Sequence, residues 1–594
     1  MSQTPTQFYT NKTTSLNSKL KELKGKLRSF VLYRLLAFIG IIIPWWPLNF
    51  LDFNIQIVVS IVFIILFFIL IKKNKKLNDQ KRFLEQQLEL LANEEKCLQK
   101  DYLNNETGEA FKENDHAYIF DLDIFGIGSL YQYITRASTQ IGKQRLAHWL
   151  SKPQLDIDEL KRRQEAIEEL SNFNDLRLEV QTHGLLTEEK EGDVDRVIAW
   201  VKEEGKFDLK GWHRILLIVV PVFSIGVIIS LSFGLISGQL FGVLICLPLI
   251  ITGIYLKNTQ ETYKNLDKGF KAVAKFHDIF YNIENQRFNC DRLIEIQKNA
   301  VGAHQALTEL NQVISAFDQR LNLLVAFFMN MVLAWDLKCM VSLAEWQKKY
   351  QGDTELWFDS LAQFEAISSL ANFRYNHHKE TIFPSFNSTG EMNAQGLGHP
   401  FLMQENRVDN DFSINNKNFA IITGANMAGK STFLRTLGIS IVLANAGSSI
   451  IAKSFNLQPI QIFSSMRTSD SLQKNESYFY TELLRLYHLV NRLAKGEKLF
   501  IILDEILKGT NSKDKAEGSY KFIKKILLLD AMGVIATHDL SLCEIEKEFP
   551  DRVSNLYFDV TIKDDDLSFD YKLRQGICSN MNATFLMKKM GITD

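Results

Sequence analysis

Gly424-Ala425-Asn426-Met427-Ala428-Gly429-Lys430-Ser431-Thr432 has the residue types and spacing of a phosphate-binding loop, G-x-x-x-x-G-K-[ST]. Backbone N–H groups of such a loop point inward and cradle phosphate oxygens. Lys430 would reach the β- and γ-phosphates, and the Ser431 hydroxyl would bind Mg²⁺. Asp504 and Glu505 close the apolar run 499–503. Carboxylates placed there need a partner, because unpaired charge is costly to bury. A metal–nucleotide complex supplies one, with Asp504 in the Mg²⁺ shell and Glu505 polarising the attacking water. Val534-Ile535-Ala536-Thr537-His538 is a further apolar run with a polar end, and His538 could hydrogen-bond the γ-phosphate. The cofactors expected are ATP and Mg²⁺. The chemistry expected is hydrolysis to ADP and phosphate, in which catalysis is mostly positioning and charge stabilisation.

These residues need strands and helices to hold them. Residues 419–422, 499–503 and 534–536 are short, β-branched-rich and apolar, and each is followed by polar residues. They predict buried strands of an α/β domain. Gly509-Thr510-Asn511-Ser512-Lys513-Asp514 reads as a polar turn placed to touch a second subunit's nucleotide. Upstream, 115–210 and 257–380 are helix-rich, with amphipathic stretches such as 303–317. Residues 384–400 read as a polar connector.

Four apolar runs, 30–46, 55–71, 215–236 and 240–256, approach the roughly 20 residues that a membrane span requires. They pair as two hairpins, turning at Pro44-Trp45-Trp46-Pro47 and at Ser237-Gly238-Gln239. Neither turn carries Lys or Arg. Lys19, Lys21, Lys24, Lys26 and Arg28 precede the first run, and Lys72, Lys73, Lys75 and Lys76 follow the second. Arg214 and Lys257 flank the second hairpin. Positive charge stays on the cytoplasmic side. The expectation is a multi-pass protein of the inner (cytoplasmic) membrane, with the N-terminus and the ATPase domain in the cytoplasm. A fifth run, 321–335, contains Asn322 and Asn330 and would put the ATPase domain on the wrong side, so it reads as a buried helix of a soluble bundle.

The resulting division is 1–29, a cytoplasmic segment; 30–71, the first hairpin; 72–114, a polar helical stalk; 115–214, the first part of a helical core or lever; 215–256, the second hairpin; 257–383, the rest of the lever; and 384–594, the P-loop domain. The fold class expected is an α/β P-loop domain at the C-terminus, preceded by an all-α part, with two transmembrane hairpins; the family resemblance that follows implies that the P-loop domain is ABC-type and the all-α part a lever.

The motifs, in this order, resemble the MutS family of ATPases. Asn426-Met427 inside the loop is one mark. Asp504-Glu505-Ile506-Leu507-Lys508-Gly509-Thr510-Asn511 is similar to the family's D-E-I-x-x-G-T run, and Ser477-Tyr478-Phe479-Tyr480-Thr481-Glu482 to its S-T-F-x-x-E segment. Gly398-His399-Pro400 resembles the opening of its ATPase domain. Asp121 to Gly126, Ser129 to Tyr133 and 142–149 resemble the start of its helical lever, and 571–576 and 582–591 its C-terminal end. The resemblance implies a head-to-tail homodimer in which Ser477 of one chain reaches the nucleotide held by Lys430, Ser431, Asp504, Glu505 and His538 of the other.

It also implies DNA binding and mismatch repair, and here the chain departs from the pattern. No room is left before Asp121 for a mismatch-reading domain. Phe111 in Gly108-Glu109-Ala110-Phe111-Lys112-Glu113 has the wrong glycine spacing for that domain's G-x-F-x-E wedge. The second hairpin falls near the place of the family's DNA clamp. The net charge of -1 gives no global basic field. A DNA-binding ATPase and an ATP-driven membrane switch acting on a protein partner both stay open. The chain has no L-S-G-G-Q signature, which argues against an ABC transporter. The six cysteines form no C-x-x-C pair, so a disulfide frame or zinc site is not expected.

Overall fold

The computed structural model describes residues 4–45, 52–113, 115–203, 210–266, 268–467, 478–563 and 566–578. The phosphate-loop strand β1 (Phe419–Gly424) lies inside a six-stranded sheet. Its companions are β2 (Gln461–Ser465), β3 (Leu499–Asp504), β4 (Met532–Ala536), β5 (Val553–Lys563) and β6 (Asp566–Gln575), in the order β6-β5-β1-β4-β3-β2. All pairings are parallel except the β5–β6 hairpin. β1 and β4 are buried at every position, as parallel strands covered on both faces must be. Residues 384–400 are not a mere connector: Ser385–Phe386 and Met392–Leu397 join Asn410–Ile414 and Ser454–Leu457 in a four-stranded sheet.

Two long helices open the chain. Helix α1 (Pro5–Ile42) starts with Pro5 at its first position and a reciprocal capping box between Thr4 and Gln7. Helix α2 (Phe53–Leu98) returns antiparallel along it, so the apolar run 55–71 and the stalk as far as Leu98 are one unbroken helix; the rest of the expected stalk, 99–113, is turns and a short 3-10 segment. The lower end of this pair packs on the lever through Tyr9, Leu16, Leu90, Leu91 and Leu178. The turn residues 46–51 lie outside the described residues.

The lever is mainly helical, but 115–129 are turns and Thr381–Ile382 is a short strand paired with Ile450–Ile451, so the all-α expectation holds only in part. Its centre is α9 (Thr354–Asn376), which buries Trp357, Phe358, Leu361, Phe364, Ile367 and Leu370 against α3 (Gln140–Ser151) and its neighbours. Glu365 of α9 is buried and accepts the backbone N–H groups of Ser138 (2.9 Å) and Thr139 (3.2 Å) at the start of α3. A Cβ at Gly142 would collide with that carboxylate side chain, its own Cβ lying at 2.7 Å, which explains the glycine.

From the lever rise α4 (Gly211–Ser232) and α5 (Gly238–Asn265), joined by a turn over 233–237 with Ser237 capping α5. Four helical stretches, Pro5–Trp45, Ile55–Leu98, Gly211–Ser232 and Gly238–Lys257, are long and apolar enough to cross a membrane. Their apolar side chains, such as Ile65, Phe68, Ile218, Val222 and Ile254, are exposed.

Residues 321–335 correct the sequence reading. After α6 (Ala303–Asp318) they form the short α7 (Leu323–Leu333), and α8 (Trp335–Tyr350) then leaves at 77°. Helix α7 is not buried: Leu321, Leu324, Phe327 and Phe328 face outward. The asparagines that suggested a soluble interior sit at its two ends.

Candidate nucleotide site

The strand-to-loop-to-helix turn is built by backbone geometry. Gly424 (φ 151°) ends β1, and a Cβ there would meet the Phe558 carbonyl at 2.8 Å. Gly429 (φ 103°) caps α10 (Lys430–Asn445), and its Cβ would press on Tyr571 at 3.1 Å. Met427 also takes a positive φ of 65°. The loop therefore crosses the mouth of a cavity of about 600 Å³. Asn426, Met427, Ala428, Gly429, Lys430, Ser431 and Thr432 line it, together with Asp504, Glu505 and His538. Gly424 and Ala425 contribute carbonyls instead, accepting from the Lys430 ammonium at 2.8 and 2.9 Å.

The charged groups converge as their motifs predict. Ser431 Oγ donates to Asp504 Oδ2 at 2.6 Å, which places a hydroxyl and a carboxylate side by side, the pair expected to hold a cation. Among the described residues no cluster of three or more His, Cys, Asp or Glu could hold a metal by itself. A cation here would need phosphate oxygens as well, as Mg²⁺ sites in nucleotide enzymes do. Glu505 follows the strand with φ 49°, and its Oε1 lies 3.0 Å from His538 Nε2. That same nitrogen is 3.2 Å from Lys430 Nζ. One imidazole nitrogen can accept from the lysine or donate to the carboxylate, not both. Burial and the Lys430 charge lower the His538 pKa, against the pull of Glu505, and so favour the neutral ring. Burial also lowers the Lys430 pKa, opposed by Asp504 and Glu505.

Sequence reasoning missed the far wall. His399, Asn406, Arg407, Val408 and Tyr571 face the loop across the cavity. Asn410 holds Tyr571 in place: its Nδ2 donates to the Tyr571 carbonyl (3.0 Å) and its Oδ1 accepts from Leu573 N (2.8 Å). The conspicuous signal was Gly398-His399-Pro400, matched only as a domain opening. Burial lowers the His399 pKa to about 4, helped by Arg435, Lys100 and Arg407, and its Nδ1 accepts from Phe401 N. Protonation would break that bond. The unfolded ring binds its proton near 6.5, so stability falls as the pH drops from about 6.5 to about 4, by at most about 3 kcal/mol. Melting temperature against pH, compared with His399→Gln, reads this directly: the variant should lose that part of the slope.

Ser477 lies outside the described residues. The helix that follows it, α11 (Tyr478–Ala494), is bound to the loop after Glu505. Its buried Glu482 accepts from Leu507 N (2.6 Å) and Lys508 N (3.1 Å), just past Glu505. Glu482→Ala strands two N–H groups beside residues held at positive φ, Glu505 and Leu507. We expect turnover to fall about tenfold with nucleotide affinity little changed, because small misplacements at a reacting centre are costly. Glu482→Gln, which keeps an acceptor, should lose less.

The same helix reaches the lever. Arg485 donates to Asp121 Oδ2 (3.2 Å) and to the Ala117 carbonyl (3.0 Å). Asp121 is fully buried and also accepts from Ser464 Oγ (2.7 Å) and Arg467 N (2.8 Å). Leu122 packs so closely on α10 that a Cβ at Gly438 would lie 2.6 Å from it.

Comparison with known proteins accounts for this joint architecture. The family model for MutS domain V matches residues 420–591, and that for MutS domain III matches residues 86–371. The chain belongs to the MutS family. The DNA mismatch repair protein MutS of Thermotoga maritima is 25% identical over 511 residues, covering 78% of this chain and 62% of that protein. MutS protein homolog 4 of Homo sapiens is 30% identical over 242 residues, 39% of this chain and 24% of its own length. DNA mismatch repair protein MSH3 of Arabidopsis thaliana is 29% identical over 280 residues, 43% and 26% of the two chains. This MutS-family chain thus spans less than two thirds of these relatives. The domain III match runs across the second hairpin, so α4 and α5 lie within the matched stretch. Phe111 is no free wedge, since it packs edge-on against Tyr131 at 5.6 Å.

Proposed function

We propose that this MutS-family chain is an ATPase that works as a head-to-tail dimer, anchored by its two hairpins in the cytoplasmic membrane and coupled to DNA. The convergence of Lys430, Ser431, Asp504, Glu505 and His538 on one cavity carries the reading. The loop N–H groups and Lys430 bind the phosphates. Ser431 and Asp504 would hold Mg²⁺, which would supply positive charge against the β- and γ-phosphates. Glu505 takes the proton of the attacking water, and His538, set between Lys430 and Glu505, hydrogen-bonds the γ-phosphate. Tyr571 and His399 line the same cavity and would flank the nucleotide's base. Ser477 of the second chain completes the site, and Arg485 and Asp121 pass its closure to the lever.

Support for the membrane is the exposed apolar surface of four helices together with the basic residues at their cytoplasmic ends. Support for DNA is the company of relatives named for mismatch repair. The test is duplex binding by full-length protein in lipid nanodiscs, with matched and mismatched duplexes, with and without ATP. Affinity should fall steeply with salt as counterions are released. Absence of any duplex affinity at low salt would reject the DNA part and leave an ATP-driven switch acting on a protein.

A further inference from the structure

We propose that α7 is a half-inserted helix whose outer face lies among the acyl chains of the cytoplasmic leaflet beside the second hairpin. This rests on reading α4 and α5 as membrane spans.

Three observations carry it. The first is continuity. Helix α7 packs against both α4 and α5, and the Ser224 hydroxyl, midway along α4, donates to the Met331 carbonyl at 3.2 Å. Leu324, Phe327 and Phe328 therefore extend the same apolar exterior that Ile218, Val222 and Ile254 present, and no charged residue occurs between 321 and 335.

The second is length and topology. Eleven helical residues rise about 16 Å, half of a hydrocarbon core of roughly 30 Å. The chain enters and returns on one side, because α8 runs back beside α4 and α5, where Ala334, Leu337 and Val341 pack with Val220 and Tyr255. Trp335 Nε1 donates to the Ala316 carbonyl (2.9 Å) and Trp346 Nε1 to the Ala306 carbonyl (2.7 Å), pinning α8 along α6. The ATPase domain thus keeps its side of the membrane.

The third is the finish of the helix ends. Backbone groups cannot be left open in hydrocarbon. Asn322 Oδ1 accepts from Leu324 N (3.2 Å) and Val325 N (3.3 Å). At the other end Ala334 turns into the left-handed region (φ 48°), and buried Asn330 accepts from Asp336 N at 2.8 Å. Asp336 in turn pairs with Arg320 at 3.0 Å.

The test uses full-length protein in nanodiscs of phosphatidylethanolamine and phosphatidylglycerol. The photoreactive residue p-benzoylphenylalanine is placed singly at Leu324, Phe328, Val222 and Tyr281, the last an exposed lever position. After illumination, intact-protein mass should show lipid adducts at 324 and 328 within a few-fold of the yield at 222, and none at 281. Adducts at 222 with none at 324 and 328, or cross-links there to a second copy of the chain, overturn the proposal and leave the hairpins in the membrane. No adduct at 222 rejects the membrane reading and the half-inserted helix with it.

Discussion

Glu505→Gln is expected to bind ATP about as tightly as the parent while its turnover falls by about 100-fold or more, the contribution typical of a positioned general base. The substitution is nearly isosteric. It keeps an oxygen for His538, whose Nε2 lies 3.0 Å from Glu505 Oε1, and it leaves Lys430 with its contacts to the Gly424 and Ala425 carbonyls. What it removes is the capacity to take a proton. The left-handed backbone at Glu505 is set by the strand end and by the Glu482 clamp, not by the carboxylate, so the loop should hold. Equilibrium binding of a fluorescent ATP analogue and steady-state phosphate release separate the two effects. Ordinary turnover by the variant would remove Glu505 from the role of base. Lys430→Ala serves as the opposite control, since it should lose affinity itself.

Glu94→Ala should destabilise the lever by roughly 3–5 kcal/mol, the usual cost of breaking a buried ion pair from one side. Glu94 is on α2 and Arg136 precedes α3, and both are buried. Their bidentate pair includes Arg136 Nη2 to Glu94 Oε2 at 3.2 Å. Asn372 and Asn376 of α9 each donate to the same carboxylate at 3.0 Å, and Tyr9 of α1 donates to Asn376 at 2.7 Å. Burial alone would raise the Glu94 pKa; the Arg136 charge and these hydrogen bonds outweigh it and hold the carboxyl below its ordinary value. Removing Glu94 leaves a guanidinium in the dry joint between stalk and lever. Thermal unfolding in detergent, and proteolysis near residue 100, should both report the loosened joint. The double variant Glu94→Leu, Arg136→Met should recover much of the loss, because no charge is then left unpaired. If the single variant melts like the parent, the joint is not where stalk and lever are held.

The loop, the Asp504-Glu505 pair and His538 were legible in sequence because each sits at a fixed place after an apolar strand. β1, β3 and β4 lie where those runs predicted, in adjacent register, so three distant segments meet at one edge. The far wall was not legible. Asn406, Arg407 and Tyr571 come from loops and an edge strand, and nothing in their types or spacing marks a site. Residues 384–400 read as a connector because Asn and Gly dilute them, yet Met392–Leu397 alternates buried and exposed positions as a strand does. The run 321–335 misled for a related reason. Asn322, Asn330 and Asp336 lowered its apolar character, but they fasten the ends of a helix whose flank is greasy.

Helix α2 carries no break between its apolar half and its joint with the lever, a rod of about 69 Å. A pivot of roughly 10° at the Glu94 joint would sweep its distant tip, about 62 Å away, through about 11 Å. In the membrane-anchored dimer proposed above, engine and moorings could not move independently: the surrounding lipid would resist each stroke, and lateral tension in the sheet of lipid would feed back on how readily the two nucleotide sites shut.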